Sequence, residues 1–242
     1  MEIKLFDKED KIIRFIIEGI DDSLMNSLRR ISVVGVPTMA IEEVAFTKNS
    51  SALYDEIIAH RLGLIPLTTD LKTYNLPDKC KCGGKGCALC QVKFKLSAKG
   101  PKVVYSGDLK SSDPKVKPVY DKIPIVKLLE GQEIKFTATA VLGFGKEHSK
   151  WSTGLMTYYH FPKVVSKKKN VDLKEPKDLK DMKKYLEKAK RLENLDEIET
   201  EPVEDKFVVE FETWGQLDHK TILLNAISNL SKRLKSFDKA LK

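Results

Sequence analysis

Hydrophobic residues near the start of the chain first follow strand spacing and then helical spacing. The stretch from Ile3 to Ile17 predicts two short strands around a polar turn at residues 7–10. Leu24, Leu28 and Ile31 follow at intervals of four and three, which places them on one face of a helix. Acidic and serine side chains just before this helix can cap it, and Gly35 and Pro37 end it.

The next part of the chain predicts a strand over Met39–Phe46 and a helix that Ser51 caps and Gly63 ends. Residues 67–127 combine proline and glycine breaks with short β-rich runs. Two such runs are Val92–Leu96 and Lys102–Tyr105. This composition favours an irregular, separately folded section.

Residues 133–142 alternate well enough to predict another strand, and Gly143, Gly145 and Gly154 then indicate a loop. Pro176 can occupy the first turn of a surface helix. The apolar positions of this helix are Leu179, Met182, Leu186, Ala189 and Leu192.

The last part of the sequence predicts a strand over Lys206–Thr213 and a long helix capped by Asp218. Apolar residues recur along this helix at alternating spacings of four and three, which is typical of a helix that packs along another helix. The same seam could instead cover the sheet of its own chain. The seam residues are Leu223, Ile227, Leu230, Leu234, Phe237 and Leu241.

With 242 residues and 41% hydrophobic content, the chain can bury a sizeable core. No run of about 18 apolar residues occurs, and the first ten residues are rich in charge, so we expect a cytoplasmic protein with no membrane contact. The net charge of +8 is uneven, because residues 71–127 contain 13 basic and 4 acidic side chains. This excess indicates either a solvated face or contact with nucleic acid or an acidic subunit.

All four cysteines of the chain lie within one short segment, residues 80–90. Two cysteine pairs joined by a glycine-rich turn can place four thiolates around one tetrahedral Zn²⁺ ion, and such a site would be structural. An iron–sulfur cluster is the alternative, although the spacing differs from that of bacterial ferredoxins. Four unligated thiols are the third possibility. The candidate ligands are Cys80, Cys82, Cys87 and Cys90.

The sequence offers no catalytic constellation. Its four histidines are scattered, and it contains neither a phosphate-binding glycine loop nor a nucleophile elbow. No aspartate cluster is typical of a two-metal site. We therefore predict no catalytic residue and no enzyme acting alone.

Three segments, in order along the chain, resemble a known family. Residues 24–30 (LMNSLRR) resemble the first helix of the alpha-type subunits of cellular RNA polymerases. Residues 60–67 (HRLGLIPL) and 145–151 (GKEHSKW) are similar to segments of the archaeal D-subunit family and its eukaryotic counterpart, the third-largest polymerase subunit. The cysteine loop falls between them, as in that family.

This resemblance implies an α+β protein with two domains. Residues 1–41 and 205–242 would form a discontinuous dimerisation domain, made of a sheet and two long helices. Residues 42–204 would form a mainly β insert domain that carries the metal loop at 80–90. The expected partner interface comprises Leu24, Leu28, Ile31, Leu223, Ile227, Leu230, Leu234 and Phe237.

The implied function is that of a non-catalytic platform for assembling a DNA-directed RNA polymerase, whose active site lies in other subunits. The implied partners are subunit L, the large catalytic subunits and the small subunits N and P, with DNA reached only through the complex. Some relatives carry an additional ferredoxin-like domain. Residues 165–204 contain no cysteine, so we expect this domain to be absent here.

Two other classes of function are compatible with the residues. A free-standing, zinc-bearing nucleic-acid-binding module would explain the basic stretch from Lys72 to Lys127. A redox sensor acting through the four cysteines would need reactive thiols of low pKa.

Overall fold

A computed structural model describes residues 1–168, 171, 173, 174, 176 and 179–241. The fold is α+β, as predicted. The helices of the described residues are α1 Asp22–Val34, α2 Asp55–Gly63, α3 Met182–Asn194 and α4 His219–Ala240. The strands are β1 Glu2–Lys8, β2 Ile12–Glu18, β3 Pro37–Asn49, β4 Gln91–Lys99, β5 Lys102–Tyr105, β6 Lys110–Ser111, β7 Pro124–Leu128, β8 Glu133–Phe144, β9 Gly154–Lys167 and β10 Ile198–Thr213.

The chain forms two compact units, each built from separate segments. The first unit comprises Met1–Arg30 and Gly154–Thr213, and the second comprises Ile31–Thr153 and Trp214–Lys242. No helix of the described residues combines the length and apolar character needed to cross a bilayer.

The first unit contains an antiparallel sheet in the order β1-β2-β10-β9. Strands from distant parts of the sequence meet here, since Phe15 of β2 lies opposite Val209 of β10. Gly154 was predicted to lie in a loop, whereas it begins β9, an unpredicted strand that pairs with β10 along its length. Residues 154–160, which were assigned to the insert, therefore pair with residues 207–213 of the C-terminal segment.

Helix α3 packs on one face of this sheet. Its buried residues include Met182, Leu186 and Ala189, and they share a core cluster with Ile16 and Val208 of the sheet. The helix begins at Met182, after a short 3-10 turn over residues 179–181, and not near Pro176 as predicted. The apolar face was thus identified correctly, but the start of the helix was wrong.

The second unit contains an antiparallel sheet in the order β3-β8-β4-β6. Alternate residues of its central strand β8, including Ile134, Phe136 and Ala138, are buried in the main core of the unit. Because β4 pairs with β8 from Gln91 to Lys99, residues 67–127 are not a separately folded section. The short strand predicted at 92–96 is an inner strand of the sheet.

Helix α2 begins at Asp55, and Ser51 does not cap it as predicted. The Ser51 hydroxyl lies 2.7 Å from Oδ1 of Asn49, which also accepts a hydrogen bond from the Ser51 backbone N–H. The Asn49 amide in turn donates to Asp55 at 2.7 Å. Local side-chain bonds of this kind compete with helix formation, and they delay the start of α2 by one turn.

Both of the other predicted caps are present. Oδ1 of Asp21 accepts from the backbone N–H of Leu24 at 2.7 Å at the start of α1. Asp218 caps α4, and its carboxylate accepts from the N–H of Thr221 at 3.0 Å and from the Thr221 hydroxyl at 2.5 Å. The hydrogen bond from the Thr221 side chain holds the pKa of Asp218 below its usual range.

We expect Asp218→Ala to lower the free energy of unfolding by about 1 kcal/mol at neutral pH, because it removes the α4 cap. A carboxyl group whose pKa is depressed by folding stabilises the protein above its unfolded pKa, and this contribution is lost as pH falls through the folded pKa. The difference in the free energy of unfolding between the variant and the unmodified chain should therefore become smaller at acidic pH. Urea unfolding at several pH values measures it. Asp181→Ala is the control, since Asp181 precedes α3 without a capping bond from its side chain.

Candidate metal centre and exposed helix seam

The four cysteines are positioned by two tight turns that follow one another. In the first turn, the N–H of Gly83 donates to the carbonyl of Cys80 at 2.9 Å, and in the second the N–H of Cys90 donates to the carbonyl of Cys87 at 3.0 Å. Gly83, Gly84 and Gly86 all have positive φ angles. These angles suit glycine and allow the loop to reverse direction between the two turns.

The turns bring all four cysteine sulfurs within 4.8 Å of one another. The Sγ–Sγ distances are 3.5 Å between Cys80 and Cys87, 3.6 Å between Cys82 and Cys90, and 3.8 Å between Cys87 and Cys90. In a tetrahedral site with bonds of about 2.3 Å, neighbouring sulfurs lie about 3.8 Å apart. The donor set and its spacing therefore fit one tetrahedrally bound metal ion.

The thiols have different environments. Cys80 and Cys90 are buried, whereas Cys82 and Cys87 are half-buried. A hydrogen bond from Cys80 lowers the pKa of Cys82 to about 6, and burial raises the pKa of Cys90 to about 12. A bound cation would have to displace the remaining protons, because only thiolates are effective ligands.

The surroundings of the loop suit a negatively charged centre. Lys79, Lys81 and Lys85 lie within or beside the loop, and all three are exposed. Four thiolates around a divalent ion have a net charge of minus two, which these lysines offset. Cys90 is followed directly by Gln91, the first residue of β4, so the loop is anchored to an inner strand of the sheet.

The seam predicted on the last helix lies largely in solvent. Ile227 is 45% exposed, Leu234 is 61% exposed and Phe237 is 64% exposed. Leu241 is also exposed, and Leu223 and Leu230 are half-buried. Leu224 is a further exposed apolar residue, and it was not predicted because it falls outside the spacing of four and three.

Helix α4 uses a different face to pack within its own unit. The buried residues of the helix are Ile222 and Ala226, and the Asn229 amide donates to the carbonyl of Gly35 at 2.9 Å. At about 100° per residue, this face lies roughly a quarter turn from the centre of the seam. The sequence left open whether the seam covers the chain's own sheet. Ile227, Leu234 and Phe237 are exposed and do not cover it.

The three positions predicted on α1 differ in exposure. Leu24 is 43% exposed, Leu28 is half-buried and Ile31 is only 6% exposed. Met25, which was not predicted, is fully buried. Of the three, Leu24 therefore presents the largest exposed fraction.

Comparison with known proteins gives a consistent result. The profile of the RNA polymerase Rpb3/RpoA insert domain matches residues 40–157. A protein of Pyrobaculum calidifontis named DNA-directed RNA polymerase subunit Rpo3 is 38% identical over 251 aligned residues, covering 99% of this chain and 96% of that protein.

Two further proteins with the same name are more similar over a shorter length. The one from Methanosphaera stadtmanae is 48% identical and covers 72% of this chain and 67% of its own length. The one from Pyrococcus furiosus is 46% identical and covers 73% of this chain and 66% of its own length. The chain thus belongs to the Rpo3 family, the archaeal D subunits of DNA-directed RNA polymerase.

Proposed function

We propose that this subunit is a non-catalytic assembly platform, which forms a heterodimer with subunit L and thereby nucleates assembly of the large catalytic subunits. The observation that carries the proposal is the exposed seam of α4. The described residues 231–241 are all exposed, and Leu234, Phe237 and Leu241 recur among them at intervals of three and four. Such spacing suits packing along a second helix.

The energetics of the seam also favour a partner. Complete burial of a leucine, isoleucine or phenylalanine side chain stabilises a protein by about 1.5–3 kcal/mol. Ile227, Leu234 and Phe237 obtain only part of this contribution within their own chain, since they are 45%, 61% and 64% exposed. A subunit of similar fold that contributes its own apolar helix could cover them. We assign Leu24, Leu28 and Ile31 of α1 to the same interface, with Leu24 making the largest contribution.

We further propose that the four cysteines bind one structural zinc ion. The short sulfur–sulfur distances support a single ion, because cysteines that bind different irons of a cluster are held farther apart. With all four positions filled by protein, no water could be activated, so the ion would stabilise the loop and take no part in catalysis.

The remaining assignments concern the rest of the polymerase. We propose that the active site lies in the large catalytic subunits, that the small subunits N and P are further neighbours, and that the chain acts in the cytoplasm. The division into a dimerisation domain of residues 1–41 and 205–242 and an insert of residues 42–204 belongs to the same proposal.

Co-expression with subunit L tests the platform and the metal in one sample. We expect native mass spectrometry to give a one-to-one complex and elemental analysis to give about one zinc per complex, with no iron. A monomer that does not bind L would overturn the platform proposal. Stoichiometric iron would instead overturn the zinc assignment while leaving the heterodimer intact, so the two failures are distinguishable.

A further inference from the structure

The sheet of the second unit has one face in the core and one face in solvent. Its inner strand β4 alternates strictly, with Phe94 and Leu96 buried and Lys93, Lys95 and Lys99 exposed. Strand β8 follows the same pattern, because its apolar residues at even positions are buried. Exposed lysines therefore project from the side of the sheet opposite the core.

Strand register brings lysines from three strands onto this side. Lys95 lies opposite Lys110 of β6, and Ser97 lies opposite Lys135 of β8. Directly opposed residues project to the same side of a sheet, and residues two apart lie about 7 Å from each other along a strand. We define the lysine face as Lys93, Lys95, Lys99, Lys110 and Lys135.

The charges of the lysine face are only partly offset within the protein. Among the described residues, no carboxylate forms an ion pair with any of its five lysines. Two carboxylates lie on the same side of the sheet. Glu133, opposite Lys99, is bound by Lys48 at 2.8 Å, and its pKa is lowered mainly by that bond and to a smaller extent by the charges of Lys99 and Lys135. Glu43 lies opposite Thr139, which in turn lies opposite Lys93. Lys95 and Lys110 are like charges in directly opposed positions, an arrangement that destabilises a sheet unless an anion lies between them.

The composition of the face indicates which anion it suits. Protein interfaces are enriched in aromatic residues and arginine and depleted in lysine, so this surface is poorly suited to an acidic protein partner. Lysine is well suited to phosphate, which it contacts as a point charge. The aromatic residues Phe94 and Phe136 are in the core, so they offer no ring on which an unpaired base could stack.

We propose that the lysine face binds the phosphate backbone of duplex DNA, weakly and without sequence preference. A sheet that presents lysines on three adjacent strands can contact several phosphates of one duplex at once. Each contact releases condensed counterions, so binding would depend strongly on salt. This inference goes beyond the platform function and departs from the expectation that DNA is reached only through the complex, since it gives the chain a nucleic-acid contact of its own. It also gives a function to part of the basic excess of residues 71–127.

The test measures binding of the full-length chain to a short fluorescein-labelled DNA duplex by anisotropy, at several salt concentrations. The variant Lys93→Gln/Lys95→Gln/Lys110→Gln should bind at least about tenfold more weakly at low salt. Each lost phosphate contact lowers the slope of log affinity against log salt by about 0.9, so the slope should fall by about 3. The three side chains face solvent, and we expect the circular dichroism spectrum and the urea midpoint to be unchanged.

Lys180→Gln/Lys184→Gln/Lys190→Gln is the matched control, because it removes the same charge from exposed positions in and next to α3. This control should retain the affinity and slope of the unmodified chain. An equal loss in both variants would overturn the proposal, as would a chain that binds the duplex without salt dependence or not at all. Preferential binding of poly-glutamate over DNA would also overturn it and would indicate an acidic protein partner. Subunit L is absent, so the result is independent of heterodimer formation.

Discussion

Replacing Leu234 and Phe237 with glutamate is expected to weaken binding of subunit L at least about 100-fold. Each substitution removes an apolar side chain from the proposed interface and places a carboxylate where a partner would desolvate it, and anchor residues of this kind contribute about 2 kcal/mol or more each. Both residues are more than 60% exposed in the chain. The fold itself should therefore be unaffected. Titration calorimetry with purified L measures the loss.

The control for this experiment introduces the same two charges elsewhere on α4. Ser228 and Ser236 are exposed and lie well away from the centre of the seam. Ser228→Glu/Ser236→Glu should bind L with close to unmodified affinity. Equal weakening by both variants would show that added negative charge, and not the seam, controls binding. Full affinity in the Leu234/Phe237 variant would exclude the seam from the interface.

Cys90→Ser is expected to reduce the metal content from about one ion per chain to nearly none. Cys90 is the most buried of the four thiols, and its sulfur lies within 3.8 Å of those of Cys82 and Cys87. A serine hydroxyl is a poor replacement for a thiolate, and the loop is too small to hold its shape by burial alone. We also expect rapid proteolytic cleavage within residues 80–90. Elemental analysis and limited proteolysis measure the two effects.

Ala88→Ser is the control for the metal experiment, because it adds the same hydroxyl to an exposed position of the same loop and removes no ligand. It should retain the metal and resist cleavage. A full metal complement in Cys90→Ser would show that Cys90 is not a ligand. Loss of metal from both variants would point instead to general fragility of the loop.

Features that depend on neighbouring residues were predictable from the sequence. The Asp218 cap was identified because capping involves a side chain and a backbone group only three residues apart. The cysteine cluster was identified for a similar reason, since its four cysteines lie within one short loop. The face of α3 that packs on the sheet was also visible in its helical spacing.

Features that depend on distant partners were not predictable. Strand β9 was missed because apolar residues lie on both of its faces, as with exposed Leu155 and buried Met156, so it shows no clear alternation. The pairing of β4 with β8 depends on residues about 40 positions apart, and no local signal indicates it. Spacing alone likewise could not show whether Ile31 is buried within its own chain, as it is, or exposed for contact with a partner subunit.

The order of strands in the two sheets has a consequence for how the chain folds during synthesis. Among the described residues, β3 pairs with β8 alone, and β2, which pairs locally with β1, gains its second neighbour only with β10, whose Val209 lies opposite Phe15. Contacts between such distant segments form slowly, because a long loop must close first. The cysteine loop needs only residues 80–90 and could close around the proposed ion while the ribosome is still making β8. Metal uptake should therefore come first, and α4, the helix proposed to meet subunit L, should form only after the strands of both sheets have been made.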